Sequence, residues 1–103
     1  MTHDNSHQPG DEIAKAKAAI LPTAKDLRRA AQLLVAADPM RFNLDAVAAV
    51  VAEVKQTDRR VTQLLTGMAV LAYQTPDLGT DDGQRALRNA WKHHRQKEIG
   101  ETQ

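Results

Sequence analysis

The sequence predicts an all-α fold, a small antiparallel bundle of about four helices that follows a disordered N-terminal tail. Apolar residues recur at three- and four-residue spacing along most of the chain, and no segment alternates apolar and polar residues as a half-buried strand does. The segments between these stretches are short, as in helical bundles. The 103 residues are enough for one domain. We therefore expect a tail over residues 1–10, one domain over 11–99 and a flexible end over 100–103.

Composition excludes several classes of protein. With 14 Lys and Arg against 13 Asp and Glu, the net charge of +1 creates no overall field that would attract nucleic acid. The lack of cysteine excludes disulfides, thiolate metal sites and cysteine nucleophiles. No apolar run approaches the roughly 20 residues of a membrane span, and no secretory signal is present, so a cytoplasmic protein without membrane contact is expected.

The first two helices are predicted from a breaker and a cap. Residues 11–21 form a run of good helix formers that ends at Pro22, which has no amide proton to donate. Thr23 is a suitable N-cap for the second helix, and Asp26, three residues on, approximates a capping box. The second helix is expected to end at Asp38–Pro39. Its predicted apolar face comprises Leu27, Ala30, Ala31, Leu34 and Ala37.

The third helix has the clearest pattern in the chain. Asn43 is expected to cap it, and residues 44–66 contain no Gly or Pro, so we predict one continuous helix to about Gln74 that forms the spine of the bundle. Asp58 alone interrupts the apolar stripe, and we expect it to be exposed or paired with an arginine. The alternative breaks the helix at Thr57, whose hydroxyl would cap a new helix. The stripe comprises Val47, Val51, Val54, Val61, Leu65, Met68 and Ala72.

The last helix follows a cluster of helix breakers at residues 75–79. Thr80, followed by Asp81 and Asp82, opens it in the manner of a capped helix. Its apolar face is predicted to contain Leu87, Ala90, Trp91 and His94.

An interaction surface is predicted from the length of the third helix. Its stripe is longer than the other helices can cover, which favours a symmetric partner that uses the same surface. The chain has only one Trp, one Tyr and one Phe, so its core is small and a marginal monomer or a dimer is expected. Trp91 is either a core anchor or an interface residue. The predicted protein interface comprises Val54, Val61, Leu65, Met68 and Trp91.

A second candidate surface is the basic face of the last helix. Basic residues at three- and four-residue steps flank an aromatic residue, an arrangement that can follow a phosphate backbone. A basic stripe is also typical of a solvated face, and positive charge late in a helix is what the helix dipole favours. If the third helix is broken, two further arginines begin the second helix of a helix-turn-helix motif. The possible nucleic-acid contacts are Arg85, Arg88, Lys92, Arg95, Arg59 and Arg60.

Patterns typical of enzymes and metal sites are missing. There is no nucleophile beside a base, no glycine-rich phosphate loop and no His-Glu zinc helix, and adjacent His93 and His94 point about 100° apart on a helix. We therefore expect no catalytic residue, cofactor, metal or small-molecule substrate. The sequence predicts a small non-enzymatic interaction protein that binds a protein partner of unknown identity and forms a homodimer. The alternative is a nucleic-acid-binding regulator.

Overall fold

The structure is a computed structural model that describes residues 9–75 and 77–101, and the all-helical class is confirmed for them. Residues 1–8 of the predicted tail, together with 102 and 103, lie outside the described residues. The first helix begins at Pro9, so it includes the last two residues of that predicted tail, and the last helix extends to Glu101. The described elements are α1 (Pro9–Ile20), α2 (Ala24–Ala36), a 3-10 turn (Pro39–Arg41), α3 (Leu44–Thr57), α4 (Val61–Gln74) and α5 (Asp81–Glu101).

Helix α2 is the centre of the structure. It packs most extensively against α5 and also against α4 and α3, whereas α1 contacts only a few residues of α4. The expectation that the third helix forms the spine is wrong, because α2 carries fully buried alanines that let its neighbours approach closely. Gly67 of α4 lies at such an approach, where a Cβ would sit 3.3 Å from Ala30 Cβ. The core cluster comprises Ala30, Ala31, Val54, Leu64, Leu71 and Leu87.

The predicted helix starts of α2, α3 and α5 are confirmed by their caps. The Thr23 hydroxyl accepts a hydrogen bond from the Asp26 N–H at 3.4 Å, and the Asp26 carboxylate accepts one from the Thr23 N–H at 2.8 Å. The Asn43 side chain accepts from the Ala46 N–H at 3.1 Å. The Thr80 hydroxyl accepts from the Gly83 N–H at 3.1 Å. Each cap satisfies an amide that the first helical turn leaves without a backbone partner.

The prediction of one continuous helix over residues 44–74 is wrong. Helix α3 ends at Thr57, and residues 58–60 connect it to α4. Arg59 adopts the left-handed conformation with φ of 56°, and its N–H donates to the Val54 carbonyl at 2.7 Å. The alternative prediction, a break at Thr57, located the end of α3 correctly. Its expectation that the Thr57 hydroxyl caps the next helix is wrong, because α4 starts at Val61 and has no side-chain cap. A left-handed arginine is unfavourable by about 1 kcal/mol, so contacts elsewhere must hold the connection in place.

The break changes which side of α4 is buried. The buried positions are 64, 67 and 71, each one residue before the predicted apolar positions 65, 68 and 72. Val54, in α3, faces the core and is 1% exposed, whereas Val61 and Leu65 are 46% and 59% exposed. The apolar stripe that is continuous in the sequence is therefore divided between the core and the surface.

Candidate functional site

A network of paired charges ties α2 to α3, α5 and the α3–α4 connection. Its four cations and four carboxylates balance, so the network has no net charge. We call this set the α2 charge network. Its members are Lys25, Asp26, Arg28, Arg29, Glu53, Asp58, Arg60 and Glu98.

Arg29 is the most deeply buried cation of the network, with a side chain that is 1% exposed. Its Nε lies 2.8 Å from Glu53 Oε2, and its Nη1 lies 3.0 Å from Asp58 Oδ1. Asp58 also pairs with Lys25 at 2.9 Å, so the expectation that it pairs with an arginine is confirmed. Burial alone would raise the pKa of Asp58, but hydrogen bonds from Lys25 and Arg29 and from the Arg60 amide lower it to about 2.

Arg28 bridges α3 and α5. Its guanidinium donates to both oxygens of Glu53, at 3.1 and 2.9 Å, and to both oxygens of Glu98, at 2.9 and 3.0 Å. Such two-pronged pairs fix orientation as well as distance. Hydrogen bonds from Arg28, the largest effect, and from Arg29 lower the pKa of Glu53 to about 2. Burial alone would raise it.

Asp26 fixes the start of α4 as well as the start of α2. Its carboxylate is fully buried and lies 2.8 Å from Arg60 Nη2, in addition to capping through Thr23. Burial would raise the pKa of Asp26, but hydrogen bonds from Arg60 and Thr23 hold it below its usual value. Arg60, which the sequence offered as a nucleic-acid contact, therefore belongs to a structural ion pair. Sequence reasoning missed this role because the two residues are 34 positions apart.

The exposed side of α4 is uncharged and largely apolar, and Thr62 and Gln74 are its exposed polar residues. None of the 14 residues of α4 is charged, and Tyr73 is 93% exposed. Of the predicted interface residues, Val61 and Leu65 lie on this side, whereas Val54 lies in the core and Met68 packs against it. We call this surface the α4 face. It comprises Val61, Leu65, Ala69, Ala72 and Tyr73.

Helix α1 contacts α4 and exposes both apolar and charged residues. Residues 10–17 are all exposed, and Ile13 and Ile20 are 55% and 46% exposed. A helix of 12 residues is marginally stable in water without tertiary packing. The few contacts of α1 with α4 are thus the main tertiary support that α1 has within the described chain.

The predicted basic face of α5 is only partly assembled. Arg88, Lys92 and Arg95 surround Trp91, which is half-buried and packs against the core. Arg85 instead pairs with Asp82 at 3.1 Å. The remaining predicted contact, Arg59, is exposed in the connection between α3 and α4. We call the four residues Arg88, Trp91, Lys92 and Arg95 the Trp91 surface.

A groove of about 350 Å³ lies next to the Trp91 surface. Its floor is the C-terminal half of α2, one wall is α3 and the other is α5. Arg88 and Trp91 belong to both the groove and the Trp91 surface. Sequence reasoning did not find this groove, because it depends on how three helices separated along the chain are packed.

No residue arrangement among the described residues indicates catalysis by a bound metal. Within 9–75 and 77–101, no group of three or more His, Asp or Glu side chains is placed to hold a metal ion. None of the described helices combines the length and apolar character that crossing a membrane requires. Comparison of the chain with protein-family models, with curated proteins and with solved structures finds no match.

Proposed function

We propose that this protein is a non-enzymatic helical interaction protein that binds a protein partner and pairs with a second copy of itself through the α4 face. The observation that carries this proposal is a helix of 14 residues with no charge, whose exposed side is largely apolar. A helix on the surface of a monomer normally carries charged or polar residues over most of its outer side. Contiguous exposed apolar surface instead marks interaction sites. The cytoplasmic location expected from the sequence is part of the proposal.

A second copy of the chain can pack on the α4 face because the face has no charge that would repel its own copy. In a two-fold dimer the same surface meets itself, and an uncharged surface does so without repulsion between like charges. A stable interface buries about 800 Å² on each partner. A helix of this length is only about 21 Å long and about 10 Å wide. Helix α1, with its exposed Ile13 and Ile20, is therefore expected to widen the contact.

The charges of α1 also suit a two-fold arrangement. Its first turn contains Asp11 and Glu12, and its later part contains Lys15 and Lys17. If the two copies of α1 run antiparallel, the acidic turn of one faces the basic part of the other. This arrangement favours a second copy over a partner with an unrelated charge pattern.

The test is the mass in solution of the wild-type chain and a paired variant, measured by light scattering and sedimentation over a wide concentration range. Val61→Asp combined with Leu65→Asp should abolish the dimer, because association would bury two uncompensated charges per copy. The matched control is Asn89→Asp with Gln96→Asp, which adds the same charge to exposed positions of α5 and should leave the dimer intact. Circular dichroism verifies that each variant is folded. A wild-type chain that remains monomeric throughout would contradict self-association.

A second candidate function is nucleic-acid binding. The observation that favours it is that Arg88, Lys92 and Arg95 surround Trp91 without a carboxylate partner among the described residues. Cations beside an aromatic ring can contact phosphates while a base stacks. Titration of Trp91 fluorescence with duplex DNA and structured RNA at low and moderate salt tests it. Salt-sensitive binding that disappears in Arg88→Glu with Lys92→Glu would support this function, and no change with either nucleic acid would contradict it.

A further inference from the structure

The groove between α3 and α5 combines an apolar floor with polar residues, among them Gln32, Asn43 and Gln84. Val35 and Ala36 of α2 form its floor, and Trp91 closes the α5 side. On the α3 side, Ala46 and Ala49 are small and leave room for another backbone to approach. An open groove of about 350 Å³ with these walls accommodates apolar side chains that project from a helix.

The rim of this groove is positively charged. Arg41 and Arg88 line it, and neither has a carboxylate partner among the described residues. Of the two carboxylates in the lining, Glu53 is neutralised by cations of this chain and Asp38 keeps its charge, which the two arginines of the rim exceed. Glu53 is held by two arginines of α2, and Asp38 accepts the Met40 N–H at 3.0 Å as the cap of the 3-10 turn. The positive charge continues beyond Trp91 onto Lys92 and Arg95.

We propose that the groove binds an acidic amphipathic helix of a partner protein. This inference rests on the proposed role in protein binding and specifies the chemistry of that partner. Apolar side chains one turn apart on the partner helix enter the groove beside Trp91, and carboxylates on its flanks pair with Arg41, Arg88 and Lys92. Each of these cations gains a carboxylate partner that residues 9–75 and 77–101 do not provide.

Two other occupants fit the groove less well. A nucleic acid would use the cations and the face of Trp91 but would leave the apolar space over α2 empty. The α4 face of a second copy is apolar but has no carboxylate for Arg41 or Arg88. An acidic amphipathic helix matches both the apolar floor and the positive rim.

The experiment uses three labelled probes with the full chain. Two are synthetic helical peptides of about 16 residues, roughly 24 Å long, that share one stripe of Leu and Phe and differ only in having Glu or Lys on the polar side. The third is a single-stranded oligothymidine. Fluorescence anisotropy at several salt concentrations gives each affinity. The Glu peptide is expected to bind, with an affinity that falls as salt increases, and the Lys peptide and the oligothymidine are expected not to bind.

Two variants locate the site. Arg88→Glu with Lys92→Glu should weaken the Glu peptide by about tenfold or more and improve binding of the Lys peptide, because the rim changes sign. Ala49→Trp should weaken the Glu peptide by filling the groove while keeping its charge. Arg59→Glu with Arg85→Glu is the matched control, since it makes the same charge change outside the groove and should have little effect.

The outcomes separate this inference from self-association. The Val61→Asp and Leu65→Asp variant should bind the Glu peptide as the wild type does, because neither residue lines the groove. Peptide binding by a chain that is monomeric would refute the dimer alone. A chain that binds neither peptide, or binds both equally, overturns the inference about the groove. Oligothymidine binding that Ala49→Trp leaves unchanged overturns it as well and supports the nucleic-acid function.

Discussion

Asp58→Asn removes one charge from the α2 charge network while keeping the size and shape of the side chain. The carboxylate of Asp58 holds Arg29 and Lys25 of α2 and accepts the Arg60 N–H at 3.3 Å. These contacts fix the α3–α4 connection, in which Arg59 is left-handed. The variant therefore tests whether paired charges, rather than local sequence preference, determine where α3 ends.

The magnitude follows from the titration of Asp58. Its pKa is lowered from 3.8 to about 2, and one pKa unit corresponds to about 1.4 kcal/mol, so the ionised carboxylate contributes about 2 kcal/mol to the free energy of unfolding at pH 7. The side chain is 21% exposed, so solvent screening makes about 2 kcal/mol an upper figure. Removing one partner of a buried ion pair costs about 3–5 kcal/mol. The smaller figure applies here because Arg29 keeps its contact with Glu53 at 2.8 Å.

The assay is urea unfolding of the wild type and Asp58→Asn, followed by circular dichroism from pH 7 to pH 2. Because the folded pKa of Asp58 is below its unfolded value, its contribution is complete above pH 3.8 and is lost as the pH falls through about 2. The difference between the two proteins should therefore be about 2 kcal/mol at pH 7 and should shrink between pH 4 and pH 2.

The control for this prediction is Asp45→Asn, which removes a charge from the exposed first turn of α3. It should cost no more than about 0.3–1 kcal/mol, the usual effect of a charge near a helix N-terminus. An Asp58→Asn variant that loses no more stability than this control would refute the reasoning. So would a difference that stays constant down to pH 2, because it would then not arise from the ionised carboxylate.

Two further predictions concern the core and α5, and urea unfolding measures both. Gly67→Leu should destabilise the protein by about 2 kcal/mol or more, because even a Cβ at Gly67 would lie 3.3 Å from Ala30 Cβ. The control Gly67→Ala should change stability far less, because alanine has the better helix propensity. The His94 Nδ1 atom is buried without a hydrogen-bond partner among the described residues, and burial, together with the charges of His93 and Lys97, lowers the His94 pKa from 6.5. The unfolded chain therefore binds this proton more readily, so wild-type stability falls as the pH drops through 6.5. His94→Leu should remove that fall, and an unchanged pH profile would contradict the assignment.

The helix starts were predictable from the sequence because caps are local. Thr23 and Asp26 are three residues apart, and Asn43 and Ala46 are likewise within one turn, so the residues that determine each start are visible together. The end of α3 was not predictable in this way. It depends on Asp58 meeting Arg29 across 29 positions, and only folding brings those residues into contact.

The candidate surfaces were predictable only in part, for a related reason. An apolar stripe identifies residues that avoid water, but it does not say which helix will cover them. The three-residue connection rotated α4 so that Leu64 and Leu71 entered the core and Leu65 remained outside. The cations of α5 were visible in the sequence. Their arrangement was not: Arg85 pairs with Asp82, whereas the cations around Trp91 have no carboxylate partner in the described part of the chain.

The distribution of charge is the physical reason to expect that the α4 face is covered. An ordinary amphipathic helix buries apolar residues and exposes charges. Here α2 buries Asp26, Arg28 and Arg29, while α4 exposes Leu65 and no charge at all. Buried ion pairs add little net stability compared with apolar packing of the same volume. A monomer so arranged leaves apolar surface in water, whereas a second copy on α4 would bury that surface without disturbing any ion pair.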